Sequence, residues 1–142
     1  MELRDIKFED LSYVGEIASD SFDDYSYDDF LKMSRDKNYK FIVALKNEII
    51  VGFVVFLNID DKLEIIKIAT SRDYRRQGVG RCLIKFMQDY VISKNRTGVI
   101  LEVNEKNLPA RNLYLKMGFV QIFTRKKYYH NTDDAIIMEW LK

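Results

Sequence analysis

The stretch from Tyr39 to Thr70, YKFIVALKNEIIVGFVVFLNIDDKLEIIKIAT, restricts the fold more than any other part of the chain. It is rich in β-branched and aromatic residues, and polar pairs at Lys46-Asn47 and Asp60-Asp61 divide it into three pieces of strand length. Tight turns between such pieces make neighbouring strands antiparallel. RDYRRQGVGRCL follows at once, from Arg72 to Leu83, and its arginines and two glycines run straight into a helical pattern.

The remaining elements follow from periodicity. Leu3 to Phe8 reads as an opening strand. Leu11, Val14, Ile17 and Ala18 form a helical stripe, and Tyr27 to Ser34 a second short helix. After Gly80, Cys82, Leu83, Phe86, Met87, Tyr90 and Val91 recur on one helix face, which makes Cys82 an inert core residue, while Arg81, Lys85, Gln88 and Asp89 turn away. GVILEVN reads as a buried strand and LPARNLYLKM as a helix with proline in its first turn, stopped by Gly118. FVQIFTRKKYY and DAIIMEWL close the chain as strands. Hairpins and crossovers both occur, so the sheet is mixed and covered by helices.

At 142 residues, with no proline- or glycine-rich linker, the chain reads as a single domain, residues 1–142. No apolar run approaches membrane-spanning length and no basic, apolar leader opens the chain, so neither membrane nor export is expected. A single cysteine points to a reducing, cytoplasmic setting, and one Cys with one His leaves no structural metal site. The net charge of +1 conceals an asymmetry: residues 1–36 hold eleven acidic and four basic side chains, and the rest of the chain eleven and nineteen. The cations focus on one turn instead of covering a face, so nucleic acid is not an expected partner.

A helix amino terminus presents unpaired N–H groups and the positive end of the dipole, and glycine lets those amides approach an anion closely. Arg75 to Gly80 therefore reads as a diphosphate cradle. It is not a P-loop, which needs Gly-Lys-Ser/Thr, nor a Rossmann turn, because Leu83 stands where the third glycine belongs. It satisfies Arg/Gln-x-x-Gly-x-Gly/Ala at every position.

The order of elements and the segment LEVNEKNLPARNLYLKMGF resemble the GNAT superfamily of acetyl-CoA-dependent N-acetyltransferases over essentially the whole chain. Glu102-Val103, Asn107, Ala110, Leu113-Tyr114, Gly118-Phe119, Arg125, Tyr128-Tyr129, Asp134-Ala135 and Met138 are similar to its RimI-like branch, whose members acetylate the N-terminal alanine of a small-subunit ribosomal protein. The resemblance implies an α+β fold with a mixed, mostly antiparallel sheet of about seven strands flanked by four helices. It also implies acetyl-CoA as cosubstrate, no metal, a protein or peptide N-terminus as partner, and a monomer or weak homodimer.

It implies residue roles too. Arg76, Gln77, Gly78, Val79, Gly80 and Arg81 would offer amides to the coenzyme diphosphate, with Arg75 opening the motif. Ile68, Ala69 and Thr70 would pair with the pantetheine arm as an added strand, and Asn107 would contact the coenzyme. Glu102, a carboxylate in an apolar strand facing a partly dry cleft, is the expected base, with Glu64 as the alternative. Tyr114, sharing a helix face with Asn107 and Arg111 while Leu113 and Met117 line the core, would donate to the departing thiolate. Tyr128 or Tyr129, in RKKYYHN, would hold the peptide. The acidic stretch DSFDDYSYDD borders the acceptor site of this fold but departs from the Pro-Trp-Ser pattern of the bacterial enzymes. It suits a basic peptide or simple helix capping. Two other readings remain, a small-amine acetyltransferase acting on polyamines or aminoglycosides and a non-catalytic acyl-CoA-binding module. Tyr128-Tyr129 argues against the first, and Glu102 with Tyr114 against the second.

Overall fold

The computed structural model describes residues 1–129 and 132–142. Seven strands take the order β1-β2-β3-β4-β5-β7-β6, and four helices accompany them. The chain resolves into two compact units, residues 1–59 with 66–83 and residues 60–65 with 84–142.

The first unit opens with β1 (Glu2–Asp5), shorter than the expected Leu3 to Phe8. The strand stops because Phe8–Asp10 coil into a 3-10 turn, which buried Asp10 closes by accepting the Lys7 amide at 2.7 Å and both Arg4 nitrogens at 2.7 and 3.2 Å. Burial alone would raise the Asp10 carboxyl, but the Arg4 and Lys7 donors outweigh it and hold it below 3.8. Helix α1 (Leu11–Ser21) buries Leu11, Val14, Ile17 and Ala18, and Ser26 caps α2 (Tyr27–Arg35) by accepting the Asp29 amide.

Strand β2 (Tyr39–Lys46) pairs antiparallel with β1 and with β3 (Ile49–Leu57). Five consecutive residues of β2 and six of β3 are buried, so both strands are covered on both faces. The turn between them lies at Asn47-Glu48, one residue beyond the expected Lys46-Asn47. Both residues have positive φ, 51° and 68°, as the two-residue hairpin turn matched to strand twist requires. Phe30 anchors the core with its ring edge-on to Tyr25, Phe41 and Phe53 at 5.0, 5.5 and 5.6 Å. Strand β4 (Lys62–Thr70) contributes its last residues to this unit, and α3 (Val79–Ser93) begins in it.

In the second unit β4 pairs in parallel with β5 (Gly98–Asn104), from Lys62↔Gly98 to Glu64↔Ile100, so the chain between them has to cross over, which α3 achieves. Helix α4 (Leu108–Lys116) leads to β6 (Val120–Tyr129) and β7 (Asp133–Leu141), and β7 lies antiparallel between β5 and β6. Within α3, Ile84, Met87 and Val91 are buried as an apolar face should be. Two expectations for α3 fail. Gln88 is buried instead of turned outward, because its amide donates to the Met117 carbonyl at 2.8 Å, and Cys82 is only half-buried. Among the described residues no helix is long and apolar enough to cross a membrane.

One glycine governs how α3 starts. A Cβ at Gly52 of β3 would lie 2.7 Å from Val79 Cγ1 and 2.9 Å from the Ala69 carbonyl oxygen. No side chain beyond hydrogen fits between β3, the end of β4 and the first residue of α3. Gly52→Ala is expected to destabilise the protein by about 2 kcal/mol through overpacking against backbone, read from the denaturant midpoint.

Candidate active site

In the first unit, Ile68, Ala69 and Thr70 end β4, with Ala69 buried and its neighbours half-buried. The Ser71 amide still bonds to the Val51 carbonyl at 2.8 Å, and Arg72–Tyr74 then coil into a 3-10 turn. Arg76 has φ 63° and Gly78 φ 84°, two left-handed residues on either side of Gln77. Such alternation can turn successive amides toward one side, the backbone geometry of an anion-binding nest, directly before the amino terminus of α3. A non-glycine residue held at positive φ costs about 1 kcal/mol, a strain of the kind found at ligand clamps. A Cβ at Gly78 would meet nothing within 4 Å, so glycine is needed for its conformation, and the space beside its amide is open. Val79 differs, since its side chain is buried against Gly52 and its backbone alone is left for a ligand.

The side chains of the turn are partly committed. Gln77 donates to the Asp73 carbonyl at 3.3 Å and accepts from Lys46 at 2.9 Å, which ties the turn to the end of β2. Arg75 reaches the Thr70 carbonyl at 3.4 Å and Asp20 at 3.8 Å, and Arg72 pairs with the other oxygen of Asp20. Arg76 and Arg81 are exposed. The acidic stretch is engaged as well, with Asp24 on Lys67 at 3.0 Å and Asp28 on Lys32 at 3.0 Å.

In the second unit, Leu63, Val99, Leu101 and Val103 point into the core and Glu64 and Glu102 away from it. Glu64 pairs with Ile100, and Ile100 and Glu102 share a face, so the two rival bases lie on one face of the β4–β5 pair. Glu102 does not sit in the dry environment expected for it. Glu102 is an exposed residue, its side chain 32% accessible, and its carboxylate lies 2.8 Å from Arg125. Arg125 in turn lies 5.5 Å from the centre of the exposed Tyr128 ring, linking the candidate base to a candidate peptide-binding residue. Tyr129 pairs with Asp133 across β6 and β7, while its side chain, His130 and Asn131 of the RKKYYHN segment lie outside the described residues.

Helix α4 reverses another expectation. Tyr114, not Leu113 or Met117, is its buried residue, 5% exposed with its ring 5.7 Å from Phe119, and the other two are half-buried. Burial pushes the Tyr114 phenol up to about 12, so it stays protonated throughout the physiological pH range. Asn107 uses its side-chain oxygen to cap α4, accepting the Ala110 amide at 3.3 Å. Arg111 is held by the Glu105 carbonyl at 2.8 Å. Sequence reasoning named Arg125 only within a resemblance and did not single out Asp20 or Gly52. Asp20 has a visible signal, an acid in the last turn of a helix that has no base there.

Residues 2–119 match the family model described as the Acetyltransferase (GNAT) family. Over 90 residues the chain is 36% identical to the ribosomal protein bS18-alanine N-acetyltransferase of Escherichia coli (strain K12), an alignment spanning 61% of each chain. It is 30% identical over 129 residues to an N-alpha-acetyltransferase of Sulfurisphaera tokodaii, covering 82% of this chain and 77% of that one. The crystal structure of the Escherichia coli ribosomal-protein-S18-alanine N-acetyltransferase superposes with a TM-score of 0.90 at 26% identity, over 99% of this chain and 92% of that one.

The Tyr114 phenol has a consequence for stability. Raised from 10.0 to about 12 by folding, it contributes fully below pH 10 and that contribution is lost as pH climbs toward 12. Between pH 9 and pH 11 the protein should lose about 1 kcal/mol more stability than Tyr114→Phe, measured by urea unfolding at each pH.

Proposed function

Because this chain belongs to the Acetyltransferase (GNAT) family and is an N-acetyltransferase of that type, we propose that it transfers acetyl from acetyl-CoA to a protein N-terminal α-amine, namely the N-terminal alanine of a small-subunit ribosomal protein. The observation that carries the coenzyme part is the left-handed turn at Arg76 and Gly78 opening onto α3, with free space beside Gly78. In this reading the Arg76, Gln77, Gly78, Val79, Gly80 and Arg81 amides hold the diphosphate, and Ile68, Ala69 and Thr70 hold the pantetheine arm. Arg75 supplies charge next to them, and Asn107, while capping α4, borders the coenzyme.

The acceptor part rests on the relatives named above and on proton energetics. An α-amine, with a pKa near 8, loses its proton at pH 7.4 for about 1 kcal/mol or less, whereas a lysine near 10.4 requires about 4 kcal/mol. A partly exposed carboxylate such as Glu102, taking the proton directly or through water, is sufficient for the first task. Glu64, on the same face, is the alternative base. Acetyl-CoA supplies the activated thioester, so the chain's own residues only have to bind, orient and handle protons, and no acyl-enzyme is needed. Tyr114 donates a hydrogen bond toward the departing sulfur. Tyr128 or Tyr129 serves to hold the first residues of the acceptor.

Acetylation of N-terminal hexapeptides beginning with alanine, serine or methionine, compared with spermidine and an aminoglycoside and read by mass spectrometry, tests the acceptor. Alanine peptides should be acetylated best, and a preference for the free amines would overturn the reading. Tyr114→Phe should lower kcat by about 100-fold while leaving the calorimetric Kd for acetyl-CoA within about twofold, and equal losses in both would remove Tyr114 from the donor role.

A further inference from the structure

The last turn of α1 and the connection to α2, Phe22 to Ser26, are pinned at three points in the first unit. Tyr25 lies across α1 at Gly15, where a Cβ would come within 2.5 Å of its hydroxyl, and packs edge-on against Phe30. The other two pins are ionic and both reach the coenzyme end of β4. Asp24 accepts Lys67 with both oxygens, at 3.0 and 3.1 Å, and the same ammonium sits 4.5 Å over the Phe22 ring. Asp20 gives one oxygen to Arg72 and the other to Arg75. Lys67 stands just before Ile68–Thr70 and Arg72 shortly after, so one carboxylate within the connection and one just before it grip both ends of the proposed pantetheine stretch.

Asp20 carries a local penalty that points the same way. A carboxylate in the last turn of a helix faces the negative end of the dipole, and α1 has no base there to offset it. Local rules are broken in this manner where a tertiary role requires it. Exposed pairs such as Asp24–Lys67 add little to stability, so their presence on both sides of one strand end speaks for positioning.

We propose that Asp20 and Asp24 are positioning residues that brace the α1–α2 connection on the strand end holding acetyl-CoA, and thereby set the connection for the acceptor without touching it. The proposal deepens the functional reading above: it rests on the placement of acetyl-CoA on Ile68–Thr70 there, and on the family resemblance by which the acidic stretch borders the acceptor site. It assigns the acidic stretch a mechanical task, where direct attraction of a basic peptide is the competing explanation.

The experiment compares the wild type, Asp20→Asn, Asp24→Asn and the charge swap Asp24→Lys with Lys67→Glu. Each is measured for the KM of the best acceptor found in the panel, for the calorimetric Kd of acetyl-CoA, and for hydrogen exchange of the Asp23–Ser26 amides without acceptor. Each single variant should raise the acceptor KM about threefold, leave the acetyl-CoA Kd within about twofold and speed exchange of the connection. The swap should recover at least half of both changes. Unaltered KM and exchange in the single variants would overturn the brace. So would a raised KM that the swap does not recover, with exchange unchanged, since the carboxylates would then be meeting the acceptor directly. If the best acceptor is a free amine, the N-terminal reading fails while the brace is still judged by that amine's KM. If nothing is acetylated, exchange alone decides, and equal rates in wild type and Asp24→Asn refute it.

Discussion

The close approach of Val79 to Gly52 is the contact on which the rest of the coenzyme end depends. With hydrogen as its only side chain, Gly52 lets the first residue of α3 sit directly on β3 beside the Ala69 carbonyl. That buries Val79 at the start of the helix. The left-handed residues Arg76 and Gly78 immediately precede that helix start, where such a conformation can turn backbone amides toward an anion. In the proposed function a diphosphate cradle would thus arise from backbone, with the arginines around it adding charge without having to define its shape.

In the proposed reaction the second unit would contribute proton chemistry of two contrasting kinds. Glu102 is partly exposed and held by Arg125, a carboxylate kept wet and oriented. Tyr114 is dry, and burial keeps its proton in place. A reaction that removes a proton from an amine and delivers a hydrogen bond to sulfur needs groups of both kinds, and environment, more than residue type, divides the roles. The bracing by Asp20 and Asp24 would extend the same economy to the acceptor side, with charges spent on geometry near the surface.

Most elements were legible because period and punctuation agree. Alternating and continuous apolar runs marked β2 to β5, Pro109 and Gly118 bracketed α4, and Gly78 with Gly80 announced α3. The errors share a cause. Gln88 looked like a surface residue because its polarity is visible and its partner, the Met117 carbonyl, is 29 positions away. The buried face of α4 was misjudged because nine residues carry apolar groups on more than one side, and only packing against Phe119 selects Tyr114. The ion pair of Glu102 with Arg125 was out of reach because β7, last in sequence, inserts between β5 and β6.

By itself the sequence determined the strand and helix order, the glycine turn and the identity of the chemical groups, since these depend on local conformational preference and on spacing along the chain. Tertiary structure decided which charges meet, which carboxylates share a face and which phenol is dry. Those outcomes depend on strand order and on distances between residues far apart in sequence, and neither is encoded in any local period.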